Sequence, residues 1–205
     1  MYLTKTLNAV RTFEASIQAA KEEFVKAQRE ITETYKDHAA TAKLAEARNL
    51  RTEIEMRETT AALEAVKADF AAAREAVAET VTRPAPEGFD LTLQALQTKG
   101  ERIGKTEMAA YLQKFKGNYL AFSTLLEVLH ANNLASDIHF LSADRLNNEM
   151  ETLENRILYW IKNRHGVTGD AEYYARILTH EKHSPAIPLG EKIEAFVNGD
   201  YILMD

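Results

Sequence analysis

The chain has no cysteine. That one gap removes disulfides, thiolate nucleophiles and cysteine-based zinc sites together. It has no proline or glycine before Pro84. Both residues punctuate helices, so nothing in residues 1–83 tells a helix to stop. It has no apolar run near the roughly 18 residues of a membrane span. It also lacks a positive excess: the net charge is −6, whereas nucleic-acid binders carry a basic stripe. The opening MYLTKTLNAVRTFEASIQAAKEE is polar every two or three positions and has no secretory apolar core. The expectation is a cytoplasmic, soluble protein, with a place in a virion compatible with it, that engages neither nucleic acid nor membrane.

What fills residues 1–83 is Ala, Glu, Lys, Arg and Gln, the strongest helix formers. Apolar residues recur every seven positions as Leu3, Val10, Ile17, Phe24 and Ile31, with His38 and Ala45 continuing the row. A second row three residues on reads Phe13, Ala20, Ala27 and Thr34. A similar pattern returns as Met56, Leu63, Phe70 and Val77, beside Val66 and Ala73. Narrow stripes about 3.5 residues apart are what a coiled-coil seam requires.

Two geometries fit these rows. One is a continuous rod of about 120 Å at 1.5 Å rise per residue. The other is an antiparallel hairpin bending near Asp37 to Thr41, which pairs 3–36 with 42–81. The hairpin is favoured because a local partner helix costs less ordering entropy than a separate chain. The core of an ordinary helical bundle gives the same stripe. His38 is either a polar layer in the seam or the mark of its end, and the second reading is preferred.

Two prolines and a glycine in TRPAPEGFD stop the helix, making 84–90 a linker. Residues 91–205 read as a small domain of about five helices. FDLTLQALQ suits a short strand or a helical turn. Thr106 is the expected N-cap of EMAAYLQKFK, and Asn118 that of YLAFSTLLEVLHANN. Ser142 opens a helix with Leu146, Met150, Leu153, Ile157 and Trp160/Ile161 on one face, closed by Gly166. Asp170 caps AEYYARILTHEKH, EKIEAFVNG is a short helix, and DYILMD is a docked strand or tail. The fold class expected is all-α: a long helical hairpin or coiled coil followed by a small helical bundle.

Candidates for chemistry are few. KGERIGKT resembles a phosphate-binding loop, but three residues separate Gly100 from Gly104 where four are needed, and no buried strand precedes it. It reads as a loop. His180 and His183 stand three apart where the metalloprotease pattern needs four, without a third ligand. They read, like His165, as solvent-facing histidines near a helix end. The paired carboxylates lie on polar helix faces, without the apolar surroundings that general acid–base work needs. No catalytic residue, metal or cofactor is therefore expected.

Charge divides unevenly: 13 basic and 14 acidic side chains in residues 1–83, against 12 and 17 beyond. The balanced half is a solvated arm laced with i,i+4 pairs. The expected function is structural or assembly work through that arm, with a protein partner or a homo-oligomer. Its seam is Val10, Phe13, Ile17, Phe24, Ile31, Leu63, Phe70 and Val77. The alternative is a regulatory or inhibitory adaptor that binds one protein through its acidic C-terminal half. A breaker-free arm joined to a small domain containing YLQKFKGNYLAF resembles uncharacterised helical proteins of phage and prophage genomes. That resemblance implies a virion-assembly or accessory role and carries no functional residues.

Overall fold

The computed structural model describes residues 1–132, 140–163, 170–178 and 187–202. Gly166, His139, His165, His180 and His183 lie outside that set. The architecture is all-α. Eight α-helices appear among the described residues: α1 (Thr4–Thr34), α2 (Asp37–Val81), α3 (Phe89–Lys99), α4 (Lys105–Phe115), α5 (Tyr119–Ala131), α6 (Ala143–Asn163), α7 (Asp170–Leu178) and α8 (Leu189–Val197). The one extended pairing among those residues is an isolated antiparallel bridge between Phe140 and Ile202.

The long N-terminal stretch is a hairpin. Its break falls at Tyr35 and Lys36, slightly before the expected bend. The Tyr35 N–H closes the last turn of α1 on Ile31 O (3.0 Å), and its own backbone is extended. Asp37 then takes a left-handed φ of 51° and starts α2. No proline or glycine makes this turn. His38 is exposed just beyond it, so it marks the end of the seam.

The chain clusters into two compact units. The first comprises Met1–Ala71 and Glu151–Gly190. Here α1 and α2 run antiparallel and α7 packs along α1. An edge-to-face contact joins Phe13 to Trp160 (5.5 Å), and Trp160 meets Tyr174 at 5.6 Å. The Tyr174 hydroxyl donates to Arg156 O at 3.4 Å. Gly190 lies so near the Tyr2 and Leu178 carbonyls that a Cβ would meet them at 2.6 and 2.9 Å.

The second unit comprises Ala72–Met150 and Glu191–Asp205. FDLTLQALQTK is helix α3, with Phe89, Thr92 and Leu96 buried. Its spacing of three and four is helical, and that face meets α5. The 84–90 break is kept short by Asn118, whose amide donates to Pro84 O (2.8 Å). The same side chain accepts from Ala121 N at 2.9 Å and so caps α5 as expected. Ser142 Oγ accepts from Arg145 N (3.2 Å) and caps α6. Thr106 does not cap α4. Gly104 occupies that place, without a side-chain bond, and Thr106 lies inside the helix.

Candidate functional site

The feature that stands out is the hairpin, and its register is set by two contacts far apart along it. Near its base the Asp69 carboxylate accepts from Thr6 N (2.7 Å) and from Thr6 Oγ1 (3.0 Å). Further out the Arg51 guanidinium sits over the Phe24 ring, 5.4 Å from its centroid. The residue numbers of each pair add to 75, so the two helices hold one antiparallel register between the two contacts.

Burial along this pair is graded. In α1, Leu3, Thr6, Leu7, Val10, Phe13, Ile17 and Ala20 are buried. In α2, Ala62, Val66 and Phe70 are buried within the first unit, and Ala73, Val77 and Thr80 within the second. From Lys21 through Ala61 no residue is buried. Phe24 and Ile31 continue the α1 row there, half-buried. In the α2 row Phe70 and Val77 are buried, with Val66 and Ala73 buried beside them, while Leu63 is half-buried, Met56 is 62% exposed, and Ala62 is buried where Leu63 was expected. Between Glu58 and Ala62 the inward positions step by four where a strict heptad steps by three. Such a step turns the inward face away from a strict seven-residue row.

Shallow grooves lie along the hairpin. The first, about 340 Å³, is lined by Lys5, Ala9, Phe13, Glu58, Ala61 and Ala65 among others. The second, about 230 Å³, has Ala20, Phe24, Ala27, Ala47, Leu50 and Ile54 on its walls. These walls are mostly alanine and apolar side chains. Small residues let helices approach closely; converging ionisable groups are what chemistry needs. Val25 and Leu50 stand 55% and 60% exposed nearby.

The phosphate-loop look-alike has a different geometry. Helix α3 precedes it, and a short 3₁₀ turn occupies Gly100–Arg102. The Lys99 ammonium pairs with the Glu107 carboxylate across the turn. That hydrogen bond holds Glu107 below the usual carboxylate range and Lys99 above its own, against an opposing effect of burial. The lysine nearest to a phosphate-binding role, Lys105, opens α4. Among the described residues no three His, Asp or Glu side chains converge as metal ligands do. No helix among them is long and apolar enough to cross a membrane.

The second unit contains an aromatic cluster that the sequence does not announce. Tyr201 inserts its ring among Phe196 (5.2 Å), Tyr119 (5.5 Å), Phe122 (5.6 Å) and Phe140 (6.2 Å). The Tyr119 hydroxyl accepts from Ala143 N at 3.1 Å. Among the described residues the buried Tyr201 hydroxyl finds no hydrogen-bond partner. Burial pushes its phenol above the ordinary value, although Arg83 pulls the other way.

Of the expected seam, the structure buries Val10, Phe13, Ile17 and Phe70 in the first unit, and Val77 is buried in the second. It leaves Phe24, Ile31 and Leu63 half-covered. Asp69 was missed because in sequence it is one more acidic residue on a helix; its partner is 63 positions away. No known protein family, curated protein or solved structure matches this chain.

Proposed function

We propose that this chain is a non-enzymatic structural or assembly protein, and that its helical hairpin is a docking arm for another helix. The observation behind this reading is the lack of any buried residue from Lys21 through Ala61. That stretch still carries Phe24, Ala27, Ile31, Leu44, Ala47 and Ile54 at helical spacing, and Val25, Leu50 and Met56 are more than half exposed. A helix normally lays such an apolar stripe against a neighbour. Two helices alone cover only one side of each other, whereas bundles and coiled coils of three or more cover the flanks as well. The seven-residue repeat of α1 and the alanine walls of the grooves suit a helix as the added element. The resemblance to phage-encoded helical proteins favours assembly of a larger particle over solitary action.

The test compares the intact chain with a Leu50→Glu/Met56→Glu variant. The docking-arm reading expects light scattering to report association of the purified chain, or affinity capture from the producing host to retain a specific protein. The double variant should lose either without losing helicity by circular dichroism. A strict monomer that captures the same proteins as the variant would overturn it.

A further inference from the structure

The break between α1 and α2 is small and contains no residue that demands it. Only Tyr35 and Lys36 separate the two helices, both are exposed, and neither is proline or glycine. The strain of the turn falls on Asp37, whose φ of 51° lies in the left-handed region. Nothing from Lys21 through Ala61 is buried, so little packing near the turn depends on it.

The two helices also share one seven-residue frame in the first unit. Asp69, which receives the Thr6 N–H and hydroxyl, stands 63 positions after Thr6. Ala62 follows Phe13 by 49 positions and Val66 follows Ile17 by 49, and all four are buried. Each interval is a multiple of seven. A hairpin does not require this, because its turn resets the phase of the second helix. A single supercoiled helix running through residue 36 would keep it. The antiparallel register points the same way. Because facing residue numbers add to 75, two such helices would cross with Asp37 of one opposite His38 of the other.

We propose that the chain has a second way of pairing, in which residues 35–37 become helical and two copies exchange α1. Each copy then contributes one helix from Thr4 to Val81, and the α1 of one lies on the α2 of the other. The occupant is a second copy because only this chain places Thr6, Phe13 and Phe24 opposite Asp69, Ala62 and Arg51. Exchange of an identical element keeps those contacts and removes the left-handed turn. What it gives up is the effective concentration of an attached helix, so exchange grows with chain concentration. At the crossing, Asp37 and His38 pair twice about a two-fold axis, a polar layer of the kind that fixes register. This inference stands apart from the docking-arm reading, since it adds no helix to the flank of the hairpin.

The lack of cysteine gives a clean probe. Ala27 of α1 and Ala47 of α2 line one groove of the hairpin. One full-length chain carries Ala27→Cys and another carries Ala47→Cys, so neither can link its own two helices. The two are unfolded together in urea, refolded at rising concentration and treated with a short bismaleimide, across whose double bonds the two thiols add. Exchange predicts links between unlike chains in excess of links between like ones, with a share that rises with concentration. Asp37→Ala makes the left-handed turn harder to form and should raise that share about fivefold. Asp37→Gly eases the turn and should lower it by about the same factor. The Leu50→Glu/Met56→Glu variant should leave the share unchanged. Links lost in that variant would come from hairpins lying side by side, which would overturn exchange while supporting the arm. Absence of unlike links at every concentration would also overturn the proposal, as would a share indifferent to both substitutions at Asp37.

Discussion

The Asp69 carboxylate caps helix α1 from another helix, receiving both the backbone N–H and the hydroxyl of Thr6. Leu3, at the N-cap, has no side chain for the task and sits at φ 61°, ψ 16°. A left-handed leucine costs about 1–2 kcal/mol. Full burial of its side chain, worth about 1.5–3 kcal/mol, offsets that. The start of α1 is therefore specified by a residue 63 positions later in the chain.

Asp69→Ala should destabilise the fold by about 1–2 kcal/mol, the scale of a lost cap that strands a buried donor. Asp69→Asn keeps an acceptor for the Thr6 N–H and should lose less. Urea unfolding followed by circular dichroism measures both. Equal stability of Asp69→Ala and the parent chain would mean that water replaces the cap without cost.

Gly117 and Gly199 touch back to back. A Cβ on Gly199 would lie 2.3 Å from Gly117 Cα, and both residues have positive φ. Gly199→Ala should therefore cost well over 1 kcal/mol, through clash and strain together. Gly88 also has positive φ, at +80°, but nothing lies within 4 Å of its would-be Cβ. Gly88→Ala isolates the backbone cost of about 1 kcal/mol. Thermal melts of the pair separate crowding from conformation.

Stability should be graded along the hairpin. Phe70 is fully buried, and Phe70→Ala is expected to cost about 3–5 kcal/mol. Phe24 is half-buried beneath Arg51, and its loss should cost less than half as much. Amide exchange should follow the same gradient, with the base of α1 more protected than residues 21–61. Uniform protection along both helices would contradict this.

Alkaline pH should weaken the second unit through Tyr201. Its phenol is raised above 10.0 in the folded chain, chiefly by burial. The unfolded chain thus ionises first, and the stability difference is fully present below pH 10 and falls as pH rises through the folded value. In Tyr201→Phe this fall should be smaller. A melting series from pH 8 to 11 on both chains provides the measurement, and parallel curves would contradict it.

Several elements were legible without a structure. The missing breakers and the seven-residue rows place α1 and α2, the apolar face of α6 is buried at Leu146, Met150, Leu153, Ile157 and Ile161, and Asn118 and Ser142 cap as their chemistry suggests. Thr106 failed as a cap because a polar residue near a helix start has several competing roles, and Gly104 already gives the extended backbone that the start needs. Leu63 yielded its inward place to Ala62 because the stripe is read from residue size, while the inward direction is set by the neighbouring helix.

What this sequence determined alone is therefore whatever depends on near neighbours: helix-forming residues, the spacing that paints one side of each helix, and the prolines that end α2. The tertiary structure decided what depends on distant partners. It chose the hairpin over the rod, joined Asp69 to Thr6, and brought Tyr201 between Tyr119, Phe122, Phe140 and Phe196. The physical reason is that helix periodicity is fixed over a turn or two of backbone. The choice among apolar surfaces for that side to meet is a competition across the whole chain, and no local pattern records its outcome.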